Sequence, residues 1–177
     1  MFYFIRKKIY QHFRHKFRKK YLKLLEKCQS AKKTGINLGN SEGKFYNLYN
    51  VDCFYGNQVD IVADLNKIFP FKDNSIDILY CSHLLEHLPD KIKSMNEIGR
   101  ILKSNGYAII LLPHIDSHYA FADPTHKSFW CIETFAYFNI NNDLFKRFHK
   151  IYGIITGFKI IDFFKDEITI HIILQKK

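Results

Sequence analysis

The feature that most constrains the fold is an alternation of short β-branched runs with helical or loop segments from residue 34 onward. Such alternation is typical of an α/β sheet, in which crossover segments join parallel strands. The predicted strands are 35–38, 47–51, 60–63, 75–81, 107–112, 158–164 and 168–174. Because only three residues separate the last two strands, we expect them to form an antiparallel hairpin.

One helix is predicted between the fourth and fifth strands. Asp90 begins it, Met95 and Ile98 lie on its apolar face, and Asn105-Gly106 ends it. A strand, a helix and a second strand in this order predict a parallel pair joined by a crossover. The chain of 177 residues is 47% hydrophobic, which suits one globular domain, and no stretch approaches the roughly 20 apolar residues of a membrane-spanning helix.

The net charge of +10 belongs to one end of the chain. Residues 1–33 contain 12 of the 27 Lys and Arg residues but only one of the 17 acidic residues, Glu26, so residues 34–177 are nearly neutral. We therefore divide the chain into a basic segment, 1–33, and a domain, 34–177. The near neutrality of the domain argues against a nucleic-acid partner there.

Residues 1–33 have the pattern of a basic amphipathic helix. Apolar residues recur every three or four positions and so share one helix face: Ile5, Ile9, Phe13, Phe17, Tyr21, Leu24 and Cys28. The sequence leaves three possible binding partners for this apolar face. It can pack on the domain or on a second subunit, lie on an anionic membrane surface, or accompany nucleic-acid binding.

Ligands of an open parallel sheet bind at the carboxyl ends of its strands. Gly39 and Gly43 follow the first strand, where bare backbone can approach a ligand and its amides can hold a carboxylate. Asp52 ends the second strand and can accept hydrogen bonds from two ribose hydroxyls, although an ordinary turn acid is the alternative. Asp64 follows the third strand and can accept from an exocyclic amine, while Leu65 can flank a purine ring.

Residues 69–88 are far more specific. They contain the pattern PF-x-D-x-S-x-D followed by Leu-Glu-His, and here the sequence resembles the class I S-adenosylmethionine-dependent methyltransferases. Residues 97–106 look like that family's E-x-x-R-x-L-K-P-G-G, and Leu-Pro follows the fifth strand at 112–113. The segments 123–126 and 134–138 are similar to a short bacterial subgroup associated with surface-glycan genes.

The resemblance covers about residues 35–175 and implies a three-layer, Rossmann-like methyltransferase fold. Its sheet would have seven strands, mostly parallel, with the terminal hairpin at one edge. It implies S-adenosylmethionine as the cofactor, with these residues around it: Gly39, Asn40, Ser41 and Gly43 at the methionine, Asp52 at the ribose, Asp64 and Leu65 at the adenine, and Ser82 and His83 alongside. Ser41 replaces the family's central glycine, and the interval from Gly43 to Asp52 is too short for the usual first crossover helix.

The predicted activity is methyl transfer from S-adenosylmethionine to a small-molecule or glycan-precursor acceptor. The sulfonium methyl is already activated, so the enzyme must align the acceptor and remove a proton from a hydroxyl. Candidate bases are His87, His114, Asp116 and His126, with His114 and His126 preferred as the catalytic residues. A neutral imidazole, with a pKa of about 6.5, suits this task, and a hydrogen-bonded structural histidine is the alternative for each.

No metal site is predicted. His83 leaves a strand, so the spacing of four to His87 does not place the two side chains on one helix face. The aromatic residues between 119 and 138 have two interpretations, an acceptor pocket or core packing. The four cysteines lack metal-binding spacing and predict reduced thiols in a cytoplasmic protein.

Two other functions stay open at this point. A non-catalytic binding module of the same fold is suggested by Ser41, and a nucleic-acid methyltransferase is suggested only by the N-terminal charge. The expected location is the cytoplasm, with a peripheral site at the inner face of the membrane as the alternative that gives residues 1–33 a purpose. The expected process is polysaccharide biosynthesis, and an oligomer is compatible with the sequence.

Overall fold

The computed structural model describes residues 2–31, 33–39 and 47–177, and within residues 2–31 the side chains of 11, 12, 14–26 and 31. The described residues form α1 (Phe2–Ser30), α2 (Lys91–Ile101), α3 (Tyr119–Ala122) and α4 (Asp143–Phe148). The strands are β1 (Gly35–Leu38), β2 (Tyr49–Asp52), β3 (Ile61–Val62), β4 (Ile76–Ser82), β5 (Leu102–Pro113), β6 (Phe158–Lys165) and β7 (Thr169–Lys176). Two segments, Leu85–His87 and Ile132–Phe138, are 3₁₀ helices.

The seven strands form one sheet in the order β3-β2-β1-β4-β5-β7-β6. The first five in this order are parallel, whereas β7 runs antiparallel to both β5 and β6. The predicted α/β architecture, with a mostly parallel sheet and a terminal hairpin at one edge, is confirmed. The strand order reverses between β1 and β4. Strands β2 and β3 lie beyond β1 on one side, and β5, β7 and β6 lie beyond β4 on the other.

Some predicted bounds are wrong because strand pairing overrides local turn preference. Strand β5 begins at Leu102, directly after α2, so Asn105-Gly106 lies inside a strand instead of ending the helix. Leu102 pairs with Ile76 of β4, and Asn105 absorbs the irregularity with φ of 63°. Strand β3 has only two residues, and directly before it the Asp60 carboxylate accepts a hydrogen bond from Asn50 N (2.8 Å).

The connections differ on the two sides of the reversal. Helix α2 joins β4 to β5 and is capped by Asp90, whose side chain accepts from Lys93 N. Strand β2 is joined to β3 by residues 53–60, and β3 is joined to β4 by residues 63–75. Neither connection contains a helix. The link from β1 to β2 includes residues 40–46, which lie outside the described residues, so the expected lack of a first crossover helix stays a prediction.

Helix α1 covers one face of the sheet. The side chains of Phe17, Tyr21 and Leu25 are buried in a cluster with Ile78 and Tyr80 of β4. The ring centroids of Tyr21 and Tyr80 are 5.9 Å apart. The central turns of α1 therefore pack on the domain, which is the first of the three alternatives for the apolar face.

The outer face of α1 is basic. Its exposed side chains include Arg14, Lys16, Arg18, Lys19 and Lys23. Lys20 Nζ donates to Asp162 Oδ2 of β6 at 2.8 Å and ties the helix to the edge of the sheet. The side chains predicted for the ends of the apolar face, Ile5, Ile9, Phe13 and Cys28, lie outside those described. Within the described part of the chain, no helix combines the length and apolarity needed to cross a membrane.

The opposite face of the sheet carries the larger core. Met95, Ile98 and Ile101 of α2 are fully buried there, together with the stacked rings of Trp130 and Phe135, whose centroids are 5.3 Å apart. These two rings belong to core packing, one of the two predicted interpretations of the aromatic group. With α1 on one face and α2 and the 3₁₀ segment Ile132–Phe138 on the other, the predicted three layers are present.

Two side chains of α2 hold the segment that leads into β4. Glu97 Oε2 accepts from Phe69 N (2.8 Å) and from Arg100 Nη2 (2.7 Å). The Arg100 guanidinium also donates to the carbonyl oxygens of Phe69 and Phe71 and to Asp73 Oδ1, at 2.7–2.9 Å. Hydrogen bonding from Arg100 lowers the pKa of Glu97. The E-x-x-R motif thus fixes the approach to the central strand.

The corner between β6 and β7 is organised by Asp166. Its Oδ1 accepts from Ile168 N (2.9 Å) and Thr169 N (2.7 Å), and its Oδ2 lies 3.1 Å from His171 Nε2. Burial alone would raise the pKa of Asp166, but these hydrogen bonds outweigh it and hold the pKa below its usual range. The Asp166 carbonyl also accepts from His114 Nε2 at 3.2 Å, which braces the corner against the end of β5.

Phe17→Ala tests whether α1 is part of the folded domain. Phe17 is 4% exposed and contacts the sheet, so its loss should lower the free energy of unfolding by about 3 kcal/mol. Urea denaturation measures the change. Leu22→Ala on the same helix is the control: Leu22 is 38% exposed, and the variant should lose less than about 1 kcal/mol. Equal effects in the two variants would show that the helix does not dock as described.

Asp166→Asn tests the pH dependence of the hairpin corner. A carboxyl whose pKa is lowered in the folded state stabilises the protein above its unfolded pKa, about 3.9, and this stabilisation is lost as the pH falls below that value. The variant should be less stable than the parent by about 2 kcal/mol at neutral pH, and the difference should shrink as the pH falls below about 4. Urea denaturation across that range provides the measurement, and a difference that stays constant with pH would contradict the assignment.

Candidate functional site

The carboxyl ends of β1, β2, β4 and β5 meet at one rim of the sheet. Leu38 of β1 pairs in register with Val51 of β2 and with Cys81 of β4, so the residues that follow these three lie side by side. The chain order reverses between β1 and β4, and in an open parallel sheet the crevice at such a point is where ligands bind. The topology therefore brings Gly39, Asp52 and Ser82 to one place.

Gly39 makes the first turn of this rim possible. Its φ is +75°, and its amide donates to Val51 O at 2.9 Å. A Cβ at this position would lie 3.1 Å from Leu84 Cβ, so a side chain would be both strained and crowded. The predicted partners Asn40, Ser41 and Gly43 lie outside the described residues, and their place at the methionine end stays a prediction.

Asp52 lies at the carboxyl end of β2, where the sequence predicts a ribose-binding acid. Its Oδ1 accepts from Phe54 N at 3.0 Å, and its carbonyl accepts from Ala63 N at 2.8 Å. The first contact is the local turn bond of the ordinary alternative. Asp52 lies next to Gly39 in the parallel pairing of β1 and β2, and its ribose-binding role stays a prediction.

Asp64 and Leu65 follow β3 but differ in exposure. The side chain of Asp64 is 41% exposed, and Asn66 donates to its Oδ1 from both backbone N (3.0 Å) and Nδ2 (2.9 Å). These hydrogen bonds lower the pKa of Asp64. Leu65 is 6% exposed and belongs to the main core, so only a small part of its side chain can contact a ligand.

Ser82 and His83 form the turn after β4. Ser82 is buried at the end of the strand, and His83 has φ of +51°, a left-handed conformation that costs a non-glycine residue about 1 kcal/mol. The turn is held in place because His83 N donates to Leu111 O at 2.9 Å. His83 Nδ1 lies 3.1 Å from Glu86 Oε1. A strained turn at the centre of the rim is a common property of binding sites.

His114, one of the two preferred bases, is built into the framework. It is 4% exposed, its Nδ1 accepts from Asp116 N at 3.1 Å, and its Nε2 donates to Asp166 O. Both ring nitrogens are therefore engaged. The Asp116 carboxylate pairs with Lys165, and that hydrogen bond lowers the pKa of Asp116. The catalytic role of His114 and the role of Asp116 as a candidate base stay predictions.

His126, the other preferred base, lines a cavity of about 570 Å³ at the ends of β4 and β5. The other lining residues include His83, Pro113, Tyr119, Ala122 and Ile168. His126 Nδ1 lies 2.9 Å from Ala120 O, so this nitrogen carries the proton and Nε2 keeps the lone pair. The cavity places two imidazoles next to the turn that follows β4.

Glu86 is a site residue that the sequence analysis missed. It is 2% exposed, and its Oε2 has no hydrogen-bond partner among the described residues. The loop that carries His126 is attached to it, because Lys127 N and Ser128 N both donate to Glu86 O, at 2.8 and 3.0 Å. The sequence feature that could have identified Glu86 is its position between His83 and His87 in one short segment.

Comparison with known families agrees with this architecture. The family model described as a methyltransferase domain matches residues 22–110, which is half of the chain. That range extends from the second half of α1 into β5 and includes the carboxyl ends of β1, β2 and β4.

Individual relatives are more distant or match only in part. An uncharacterized protein of Methanocaldococcus jannaschii is 34% identical over 157 residues, which cover 78% of this chain and 60% of that protein. A sterol 4-C-methyltransferase of Caenorhabditis elegans is 31% identical over 80 residues, 45% of this chain and 24% of the relative. The chain thus matches less than two thirds of the length of either relative.

Among solved structures, a SAM-dependent methyltransferase from Archaeoglobus fulgidus superposes with a TM-score of 0.57 at 17% identity. The match covers 94% of this chain and 99% of that structure. At this level of identity the similarity shows the shared fold.

Proposed function

We propose, since this chain belongs to the methyltransferase domain family, that it transfers a methyl group from S-adenosylmethionine to a small-molecule or glycan-precursor acceptor. The observation that carries the proposal is the crevice at the strand-order reversal, where Gly39, Asp52 and the turn at Ser82 lie side by side. The family and the fold both support S-adenosylmethionine as the cofactor.

The described residues of the crevice fit this cofactor. Gly39 has no side chain and a positive φ, so its backbone can approach the methionine moiety at the turn. The Asp52 carboxylate would accept from the ribose hydroxyls, and the exposed edge of Asp64 would accept from the adenine amine. Ser82 and His83 would border the sulfonium through their strained turn.

When bound, the cofactor supplies an activated methyl group. The task left to the chain is to hold the acceptor in line with the methyl-sulfur bond and to accept a proton from a hydroxyl. The cavity beside the β4 turn is the proposed acceptor site, with His83 and His126 as its two imidazoles. For His114, which is engaged at both ring nitrogens, we propose a bracing role instead of catalysis.

The basic outer face of α1 supports a further part of the proposal, contact with the inner face of a membrane. The exposed lysines and arginines there are the groups that anionic headgroups attract. A cytoplasmic enzyme held at that surface would meet acceptors carried by lipids. The buried residues of α1 dock on the sheet, so this contact would be electrostatic and would not require the insertion of Phe17 or Tyr21.

Calorimetric titration of S-adenosylmethionine into Asp52→Ala tests the cofactor assignment. The intact protein should bind with micromolar affinity, and Asp52→Ala should lose measurable binding, because hydrogen bonds to a charged group are worth about 1.5–3 kcal/mol each. Asp52→Asn keeps the acceptor for Phe54 N but loses the charge, so it should weaken binding by about tenfold or more.

The control for that titration is Asp143→Ala, which removes an exposed carboxylate of α4 and should bind as the intact protein does. Unchanged affinity in Asp52→Ala would refute the ribose assignment. An intact protein that binds no cofactor at millimolar concentration would refute the enzymatic proposal and favour a non-catalytic module of the same fold.

Sedimentation with vesicles containing phosphatidylserine tests the membrane contact. Replacing the exposed Lys16, Lys19 and Lys23 of α1 with Gln should weaken binding by about 100-fold, since each basic residue near an anionic surface contributes about 1 kcal/mol. Binding should also fall with added salt. The control replaces three lysines elsewhere with Gln: Lys146, Lys150 and Lys159. Equal binding by the two triple variants would contradict a role for α1.

A further inference from the structure

Three metal-ligating side chains converge beside the cavity, and one of them, His126, lines it. Glu86, His87 and His126 each offer one donor atom, and these atoms all lie within 4.8 Å of one another. The rings of His87 and His126 meet edge to face with centroids 4.8 Å apart. One side of the cluster belongs to the 3₁₀ segment after β4, and the other side belongs to the loop that covers the rim.

The Glu86 carboxylate needs a partner that the described residues do not provide. Its side chain is 2% exposed, and while Oε1 faces His83 Nδ1, Oε2 is buried without a hydrogen bond. A buried carboxylate oxygen left without a partner is costly. A cation bound at Oε2 would remove this cost and would also explain why an acidic side chain lies inside the domain.

His87 is oriented with a lone pair to offer. The Thr125 hydroxyl donates its one proton to Asp123 Oδ1 at 2.6 Å, because a carboxylate only accepts. The hydroxyl therefore accepts from His87 Nδ1 at 3.0 Å. The proton of His87 is thus on Nδ1, and Nε2 is the nitrogen with the lone pair.

His126 also has its proton on Nδ1 and its lone pair on Nε2, but its hydrogen-bond partner is different. Its Nδ1 donates to a backbone carbonyl, Ala120 O, at 2.9 Å, which again leaves the lone pair on Nε2. A histidine that binds a metal through one nitrogen characteristically donates from its other nitrogen to a carbonyl or to a carboxylate-linked group. Both histidines of the cluster have this second hydrogen bond before any ion is present.

We propose that Glu86, His87 and His126 bind one divalent transition-metal ion, through the two Nε2 atoms and the Glu86 carboxylate. Two neutral imidazoles and one carboxylate are donors that Zn²⁺ and Fe²⁺ accept, whereas Mg²⁺ and Ca²⁺ prefer oxygen ligands. Donors around a tetrahedral zinc ion are about 3.3 Å apart. Binding therefore closes the cluster and draws the loop that carries His126 toward the 3₁₀ segment Leu85–His87.

The position of the ion suggests its use. Three protein ligands leave a coordination position open, and His126 lines the cavity proposed for the acceptor. An acceptor oxygen at that position would be oriented by the ion, and His83 would remain as the imidazole that accepts a proton. This role rests on the proposed methyl transfer, whereas the metal site itself does not.

Metal binding is measured directly, without cofactor or acceptor. Protein dialysed against a chelator is titrated with Zn²⁺ by calorimetry, and the Co²⁺-loaded protein is examined by its visible absorption, which reports the coordination number. Cys53→Ser is used as the background because Cys53 is an exposed thiol that could bind zinc. One ion per chain is the expected stoichiometry, with a Co²⁺ spectrum of a four- or five-coordinate site.

Variants distinguish this site from adventitious binding. Glu86→Gln and His126→Gln should each weaken Zn²⁺ binding by about 100-fold or more. Thr125→Val leaves all three ligands in place but removes the acceptor for His87 Nδ1 and the hydrogen bond to Asp123, and it should weaken binding by about 10- to 100-fold. His118→Gln removes a histidine that directly precedes α3 and lies outside the cluster, and it should change the affinity less than twofold. Thermal denaturation verifies that each variant is folded, and Thr125→Val keeps the test valid if Glu86→Gln does not fold.

Two results would overturn the inference. One is an intact protein that shows no saturable binding of Zn²⁺, Fe²⁺ or Mn²⁺ at one ion per chain. The other is binding that Thr125→Val and His126→Gln leave unchanged, which would assign the ion to other groups. A separate titration of the intact protein with S-adenosylmethionine, made with chelator present, tests the proposed function. If no cofactor binds in that titration, the result counts against the proposed function and leaves the metal site unaffected.

Discussion

The reversal of strand order between β1 and β4 is the constraint on which the rest of the structure depends. Both strands are held in parallel register by backbone hydrogen bonds, yet the chain leaves them toward opposite halves of the sheet. In an open parallel sheet, the carboxyl ends of two such strands border the crevice in which ligands bind. The lack of a side chain at Gly39 lets the turn after β1 approach Leu84, and the left-handed His83 directs the turn after β4 along the same rim.

Much of the architecture could be predicted because it is encoded locally. Strand β1 has its predicted bounds, the hairpin β6–β7 lies where two β-rich runs flank three polar residues, and Asp90 caps α2 as its side chain and position indicate. The error at Asn105-Gly106 has a tertiary cause. Those residues have the local chemistry of a helix stop, but hydrogen bonding along β4 begins at Leu102 and places them within β5.

The site could be predicted only where a motif follows a strand. Asp52 and Ser82 lie at the rim because the ends of parallel strands meet there, which the order of strands already implies. Glu86 could not be found in this way, because its burial depends on Lys127 and Ser128, about 40 residues later, whose amides bind its carbonyl. The contact between His114 and the Asp166 carbonyl could not be predicted either, because Asp166 lies in a hairpin corner that no local pattern connects to the end of β5.

The two edges of the sheet have a consequence for how this protein behaves at high concentration. An unpaired edge strand is a template for another chain, and it is usually made short, irregular or charged to prevent aggregation. Strand β3 offers only two residues at one edge. At the other edge, β6 has an irregular register between Ile160 and Asp162 and carries Lys159 and Lys165. Both edges thus disfavour the addition of a strand from another copy, which leaves the helical faces and the rim of the sheet as the better surfaces for self-association.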